Sequence, residues 1–357
     1  MSEIPAGKAK GRGTVSSVQP RYLENSRESI DDGWYGKEEA VPLATTVTLE
    51  KARTIITRNQ SPDIPFEHSI NPYRGCEHGC IYCYARPTHA YLDLSPGIDF
   101  ETKLFAKTNA PGLLQKELGK PGYRCRTIAF GTNTDPYQPI ERRYCIMRRL
   151  IELLSDCRHP LSIVTKSSLV ERDRDLLAPM AEQGLVKVFL SITTLDNSLA
   201  RRMEPRSGAP QRRLQTLSRL SAAGIPTGVL FAPVIPGLND TEMESILEKS
   251  AAAGAESAGY VMLRLPREIK QLFQEWLERH EPLKAKHVMN MIRDIRDGKD
   301  NDPAFYSRMR GSGVYAQMIR RRFEHTCKKA GLNGKERQLV TERFKPPPMP
   351  GGQQSLF

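Results

Sequence analysis

Asn71-Pro-Tyr-Arg-Gly-Cys76-Glu-His-Gly-Cys80-Ile-Tyr82-Cys83-Tyr-Ala-Arg-Pro87 puts three cysteines within eight residues, spaced C-x3-C-x2-C, with an aromatic before the third. Three thiolates on one tight loop suit three irons of a cubane and leave the fourth open. Gly75 and Gly79 permit the sharp turns such a loop needs. The competing reading is structural zinc, which wants four closed ligands; His78 or His89 would be the fourth. Unligated core cysteines do not suit a polar, glycine-containing loop. The chain has seven cysteines, an odd number that argues against a disulfide framework. Cys125, Cys145, Cys157 and Cys327 are scattered and read as buried or incidental thiols.

Outward from the loop, short apolar runs alternate with helical patterns. The runs are Ser69–Pro72, Thr127–Phe130, Leu161–Thr165, Val186–Ile192, Gly228–Val234 and Gly259–Leu263. Helical stretches between them cover Arg142–Leu154, Glu171–Gln183, Gln211–Ala223 and Thr241–Ala253. Gly184 and Gly224 stand where helix C-terminal caps belong, and Asn239 or Asp240 where an N-cap belongs. Strands regularly followed by helices predict an α/β fold, a parallel sheet curved into a barrel or partial barrel. Reactive groups should then follow the strands, at their C-terminal ends.

Residues 1–60 are rich in Gly, Ser, Pro and charge and read as a partly ordered N-terminal arm, tied down around Trp34–Tyr35 and Val41–Leu49. Residues 61–270 form the barrel. A helical, basic C-terminal extension spans 271–345, with helices at Lys284–Asp297 and Val314–Ala330, and a flexible tail spans 346–357. No apolar run reaches the roughly 18 residues of a membrane helix. The N-terminus lacks an apolar signal core, so a cytoplasmic protein with no membrane partner is expected.

The cysteine string resembles the signature of the radical S-adenosylmethionine (SAM) superfamily, and the likeness covers roughly residues 65–270. It implies a partial (β/α)6 radical SAM barrel. It implies that Cys76, Cys80 and Cys83 hold a 4Fe–4S cluster whose open iron chelates SAM. An electron from a donor such as flavodoxin or ferredoxin would split SAM into methionine and a 5′-deoxyadenosyl radical, which takes a hydrogen atom from substrate. The wording NPYRGC–GCIYCYAR is similar to the branch containing spore photoproduct lyase, a DNA repair enzyme.

The resemblance also implies SAM contacts. Tyr82 lies within the loop, Thr132, Asn133, Thr134 and Asp135 follow the second strand, and Lys166 and Ser191 end the third and fourth. Lys166 pairing with the SAM carboxylate and Ser191 hydrogen-bonding it fit those positions. Arg206, in Glu204-Pro-Arg206, is a further SAM or substrate contact, with a helix-cap salt bridge as the alternative. One departure stands out. Spore photoproduct lyases carry a hydrogen-donating cysteine just after the second strand, and its place here is taken by Gly131. Cys125 comes six residues earlier and should face the wrong end of the barrel.

Residues 305–345 set eleven Lys or Arg against three Glu, a net charge of +8 out of +12 for the chain. In the last helix Tyr315, Met318, Ile319 and Phe323 form an apolar stripe, leaving Arg320–Arg322 to face outward toward a phosphate backbone. Gln353-Gln-Ser-Leu-Phe357 ends the chain after a Pro/Gly spacer. It resembles the peptide by which bacterial polymerases and repair proteins dock on the DNA sliding clamp. The expected function is therefore a radical SAM enzyme acting on nucleic acid, DNA in preference to RNA, with lesion repair as the model reaction. The alternatives are radical SAM modification of RNA or protein, and a non-catalytic zinc-stabilised nucleic-acid-binding module.

Overall fold

A computed structural model describes residues 2–3, 11–22, 43–334 and 338–348. Its strands are β1 (Ser2–Glu3), β2 (Ser16–Ser17), β3 (Thr46–Glu50), β4 (Thr57–Arg58), β5 (His68–Ile70), β6 (Tyr73–Arg74), β7 (Lys103–Lys107), β8 (Ile128–Phe130), β9 (Leu161–Thr165), β10 (Val186–Ser191), β11 (Thr227–Val234) and β12 (Ser257–Met262). The principal sheet runs β12-β11-β10-β9-β8-β5-β4. Its six strands from β5 to β12 are mutually parallel and lie in chain order, with β4 antiparallel on the edge. Right-handed crossovers between strands laid down in order put every helix on one face, so the sheet curls toward a barrel. β12 and β5 do not pair, and the barrel stays partial.

The six predicted strands are all present. So are the helices between them: α4 (Ile146–Asp156), α5 (Arg174–Glu182), α7 (Pro210–Ala222) and α8 (Met243–Ala252). The physical cause is visible in α4, which buries Ile146, Met147, Leu150, Ile151 and Leu154 on one stripe against the sheet. Gly184 and Gly224 take left-handed φ after α5 and α7, as expected of C-terminal caps. The expected N-cap at Asn239 or Asp240 does not form. Asn239 instead donates to the carbonyls of Thr193 (2.8 Å) and Pro233 (3.0 Å), and Asp240 accepts from the Tyr315 hydroxyl (2.5 Å).

A second, three-stranded sheet, β3-β7-β6, was not legible as such. β3 lies in the region read as an arm and pairs in parallel with β7. β6, which leads into the cysteine loop, pairs antiparallel with β7. The remaining helices are α1 (Asp99–Thr102), α2 (Ala110–Leu118), α3 (Glu141–Tyr144), α6 (Asn197–Met203), α9 (Ile269–His280), α10 (Pro282–Asp294), α11 (Ser307–Arg310) and α12 (Gly313–Lys329). None of them is long and apolar enough to cross a membrane.

Residues 338–348 run back over the N-terminal end of the barrel rather than leaving it. The Lys345 N–H donates to the Cys157 carbonyl at 2.8 Å, and the Phe344 ring stands edge-on to His159 at 5.3 Å. Pro347 is buried. Trp34–Tyr35 and Gln353–Phe357 lie outside the described residues.

Candidate active site

The cysteine loop leaves β6 at the C-terminal mouth of the barrel, and its backbone is held from several sides. Gly75 and Gly79 adopt φ of +73° and +67°. The Cys76 N–H donates to the Phe100 carbonyl at 2.9 Å. Gln138 donates from Nε2 to the Gly75 carbonyl (3.1 Å) and accepts the Glu77 N–H on Oε1 (2.9 Å). Arg86 is fully buried beneath the loop. It donates to the carbonyls of Cys80 (2.9 Å), Gly79 (3.0 Å) and Gly97 (2.9 Å) and pairs with Glu101 at 2.6 Å. Glu101 also accepts the Gly13 and Thr14 N–H groups, which ties the N-terminal segment to the same anchor. A buried guanidinium satisfied in this way leaves the loop little freedom.

Cys76 and Cys80 are buried and Cys83 is half-buried, all three as free thiols. Burial pushes the Cys80 thiol up to about 12 and raises the Cys76 thiol well above its ordinary value. Each of the two histidines considered as a fourth zinc ligand has one ring nitrogen engaged, and the buried His89 Nδ1 has no partner among the described residues. His78 Nδ1 stands 3.4 Å from Asp135, and His89 Nε2 is 2.9 Å from the Lys103 carbonyl. Among the described residues, no group of three or more His, Cys, Asp or Glu is placed to close on one metal ion. A cubane asks less of the loop, because each thiolate binds a different iron.

Lys166 follows β9, and its Nζ donates to Ser191 Oγ, at the end of β10, at 3.1 Å. The ammonium also lies 5.7 Å from the centre of the Tyr82 ring. No carboxylate of the described residues is within ion-pair distance of it. Burial would strip its proton, yet the fields of Cys80 and Glu204 outweigh burial and raise its pKa. A shielded cation beside the loop, lacking a carboxylate partner, is the feature a SAM carboxylate would complete. On this ground the residues present fit the cluster and SAM.

The segment after β8 is organised by Asn71, whose Oδ1 accepts the N–H groups of Asn133 (3.0 Å) and Thr134 (3.4 Å) and whose Nδ2 donates to Thr132 Oγ1 (3.3 Å). The Thr134 hydroxyl donates to the Tyr73 carbonyl at 3.0 Å. Asp135 accepts from Thr165 Oγ1 (2.7 Å), the Lys166 N–H (2.8 Å) and the Tyr137 N–H (2.9 Å). Burial alone would raise its pKa, but His78 and these donors hold it at about 2. Asp135 thus joins two strand ends to the cysteine loop, and its oxygens are already occupied. Arg206 pairs with Glu77 of the cysteine loop at 3.0 Å, a salt bridge to the loop rather than to a helix cap.

Residues not foreseen complete the floor of the site. Glu204 accepts from the Tyr82 hydroxyl, from Thr193 Oγ1 (2.7 Å) and from Arg213. Arg213, also buried, donates to the carbonyls of Gly208 (2.7 Å) and Ser191 (2.9 Å). Burial opposes the Glu204 charge, and Arg213 and Lys166 overcome it, holding Glu204 at about 2. This ion pair fixes Tyr82 and the Ser191 strand end. Cys125 lies before β8, at the end opposite the cysteine loop, as expected.

Arg320 and Arg321 on α12 are exposed, as expected of an outward cationic face, while Arg322 is half-buried, and several of the cations have acidic partners. Arg322 pairs with Glu244 at 2.7 Å, Arg320 with Glu324 at 2.7 Å, and Lys329 with Glu248 at 2.9 Å. α12 packs on α8, on the outer layer of the barrel. Of its predicted apolar stripe, Ile319 and Phe323 are buried while Met318 is exposed.

A family model described as the radical SAM superfamily matches residues 70–249. An uncharacterised protein of Mycobacterium bovis is 39% identical over 282 residues, covering 78% of this chain and 79% of its own. An uncharacterised protein of Methanocaldococcus jannaschii is 29% identical over 224 residues, 63% of this chain and 80% of its own. Among solved structures, a spore photoproduct lyase complexed with dinucleoside spore photoproduct superposes with a TM-score of 0.55 at 14% identity, covering 80% of each chain. That likeness is one of fold.

Proposed function

The chain belongs to the radical SAM superfamily, whose members use a 4Fe–4S cluster and SAM, and from that premise we propose that it is a radical SAM enzyme acting on nucleic acid, with DNA preferred. In this reading Cys76, Cys80 and Cys83 ligate the cluster. Lys166 and Ser191 would receive the SAM carboxylate, and Tyr82 would line the cofactor site beside them. When bound, the cluster and SAM supply a 5′-deoxyadenosyl radical that abstracts a hydrogen atom. The chain's own residues hold the loop rigid, keep Lys166 charged and present the reacting face at the mouth of the barrel.

The observation that carries the reading is the Lys166–Ser191 pair beside Cys80, a cation without a carboxylate partner where the strand ends meet the loop. The nucleic-acid substrate rests on the lyase-like fold and on the basic balance of the chain. Glycine at position 131 directs the proposal away from spore photoproduct itself. The test is anaerobic turnover with SAM, dithionite and site-specifically deuterated DNA or RNA. Deuterium in 5′-deoxyadenosine from DNA supports the reading, and transfer from neither polymer refutes it.

The carboxyl-terminal Gln353–Phe357 supports a second, accessory reading, tethering to the bacterial sliding clamp. Deleting it should abolish retention of the protein on immobilised clamp. Equal retention of the truncated protein contradicts this.

A further inference from the structure

Arg264 lies two residues past β12, at the C-terminal mouth. Its guanidinium carbon stands 5.6 Å from the centre of the Tyr84 ring, and Tyr84 is the neighbour of Cys83. The side chain is half-buried. Among the described residues its one hydrogen-bond contact is Nη1 to the Met309 sulfur at 3.9 Å, a weak acceptor. Its buried Nε has no partner. No carboxylate of the described residues is within ion-pair distance. Asp63, whose field reaches Arg264, is already engaged by Arg308 (2.5 and 2.7 Å) and by the Tyr306 N–H (3.1 Å). Of the two guanidiniums only Arg308 pairs with that carboxylate, and Arg264 feels its field at longer range. The fully buried arginines of the site, Arg86 and Arg213, each have a glutamate of their own. A partly desolvated cation without an internal counter-charge is costly unless an external anion completes it.

The surroundings define that anion. Phe305 and Tyr306 are 52% and 63% exposed, and the Arg308 guanidinium sits 4.8 Å from the Phe305 ring centre. Tyr306 holds φ of +64°, a strained conformation for a tyrosine. Exposed aromatics beside guanidiniums stack bases, while a planar guanidinium takes a phosphate two oxygens at a time. Resting on the nucleic-acid reading above, we propose that Arg264 anchors a substrate phosphodiester beside the cysteine loop, with Phe305 and Tyr306 offering stacking faces to an unpaired base. A peptide carboxylate would match the charge but leave those rings idle.

The test uses the full-length, cluster-reconstituted protein. Dithymidine monophosphate and its neutral methylphosphonate compete against a fluorescent single-stranded oligothymidylate. A charge-assisted contact predicts that the wild type prefers the phosphodiester by about 10- to 150-fold. Arg264→Gln should lose most of that preference, and Phe305→Ala should weaken both dinucleotides alike. Equal binding of the two linkages by the wild type overturns the proposal, and that arm stands even if Arg264→Gln does not fold. An unchanged preference in folded Arg264→Gln also overturns it. A glutamate decapeptide that displaces the oligothymidylate from the wild type as effectively as dithymidine monophosphate does would assign the site to peptide instead. A wild type that binds no oligonucleotide refutes the nucleic-acid reading itself, whereas binding without Arg264 dependence refutes this inference alone.

Discussion

Gly131 packs its backbone directly against Val164: a Cβ on Gly131 would lie 1.9 Å from the Val164 carbonyl oxygen, and φ at Gly131 is +82°. The position where the resemblance to spore photoproduct lyases leads one to expect a hydrogen-donating cysteine is therefore closed to any side chain unless the end of β9 moves. Gly131→Ala and Gly131→Cys should each destabilise the fold by more than about 2 kcal/mol, from left-handed strain plus a backbone clash. Urea unfolding midpoints check this. A Gly131→Cys protein as stable as the wild type would show that the strand ends are not packed in this way.

Lys166→Ala and Ser191→Ala should weaken SAM binding about 5- to 150-fold, the value of one charge-assisted contact. Equilibrium binding of SAM to the reconstituted protein measures it. Unchanged affinity in both variants would mean that SAM binds elsewhere.

Glu204→Gln should cost on the order of 3 kcal/mol, because it leaves Arg213 buried without its counter-charge. The double variant Glu204→Gln with Arg213→Met should cost clearly less than the two single losses together. Strict additivity in a denaturation cycle would show that the two residues act independently.

His159 is fully buried, with Nδ1 3.0 Å from the Pro160 carbonyl and Nε2 2.9 Å from the Tyr123 hydroxyl. A carbonyl only accepts, so Nδ1 carries the proton and Nε2 accepts from Tyr123. Burial lowers the His159 pKa to about 4. Above roughly pH 6.5 the ring is neutral in both folded and unfolded chains, and its contribution is fully present. As pH falls from there toward 4, the unfolded chain binds a proton that the folded chain refuses. Stability should fall over that window, by up to about 3 kcal/mol from this group. His159→Gln should flatten the decline, and an identical pH profile for both proteins would contradict the assignment.

The barrel was legible because six buried parallel strands read as apolar runs and glycine caps closed the helices between them. The cysteine loop and the Lys166–Ser191 pair were legible because reactive groups cluster where strands end. Arg213 was not. In α7 the string Gln-Arg-Arg-Leu sets Arg212 and Arg213 side by side, and only the tertiary packing turns Arg213 inward and leaves Arg212 near the surface. β7 was missed for a related reason. Lys103-Leu-Phe-Ala-Lys107 alternates too briefly to be decisive, and its pairing comes from β3, more than fifty residues earlier. The outward placement of Arg320 and Arg321 on α12 was legible from the apolar stripe, whereas the pairing of Arg322 and Lys329 with Glu244 and Glu248 on α8 was not, because a charge count does not reveal tertiary partners.

The central claim is tested most directly by 5′-deoxyadenosine formation after anaerobic reconstitution with iron, sulfide, SAM and dithionite. The wild type should carry about four irons and release 5′-deoxyadenosine, and Cys76→Ala, Cys80→Ala and Cys83→Ala should each release none. Full 5′-deoxyadenosine formation by any one of the three variants, or none by the wild type holding its cluster, would contradict the account.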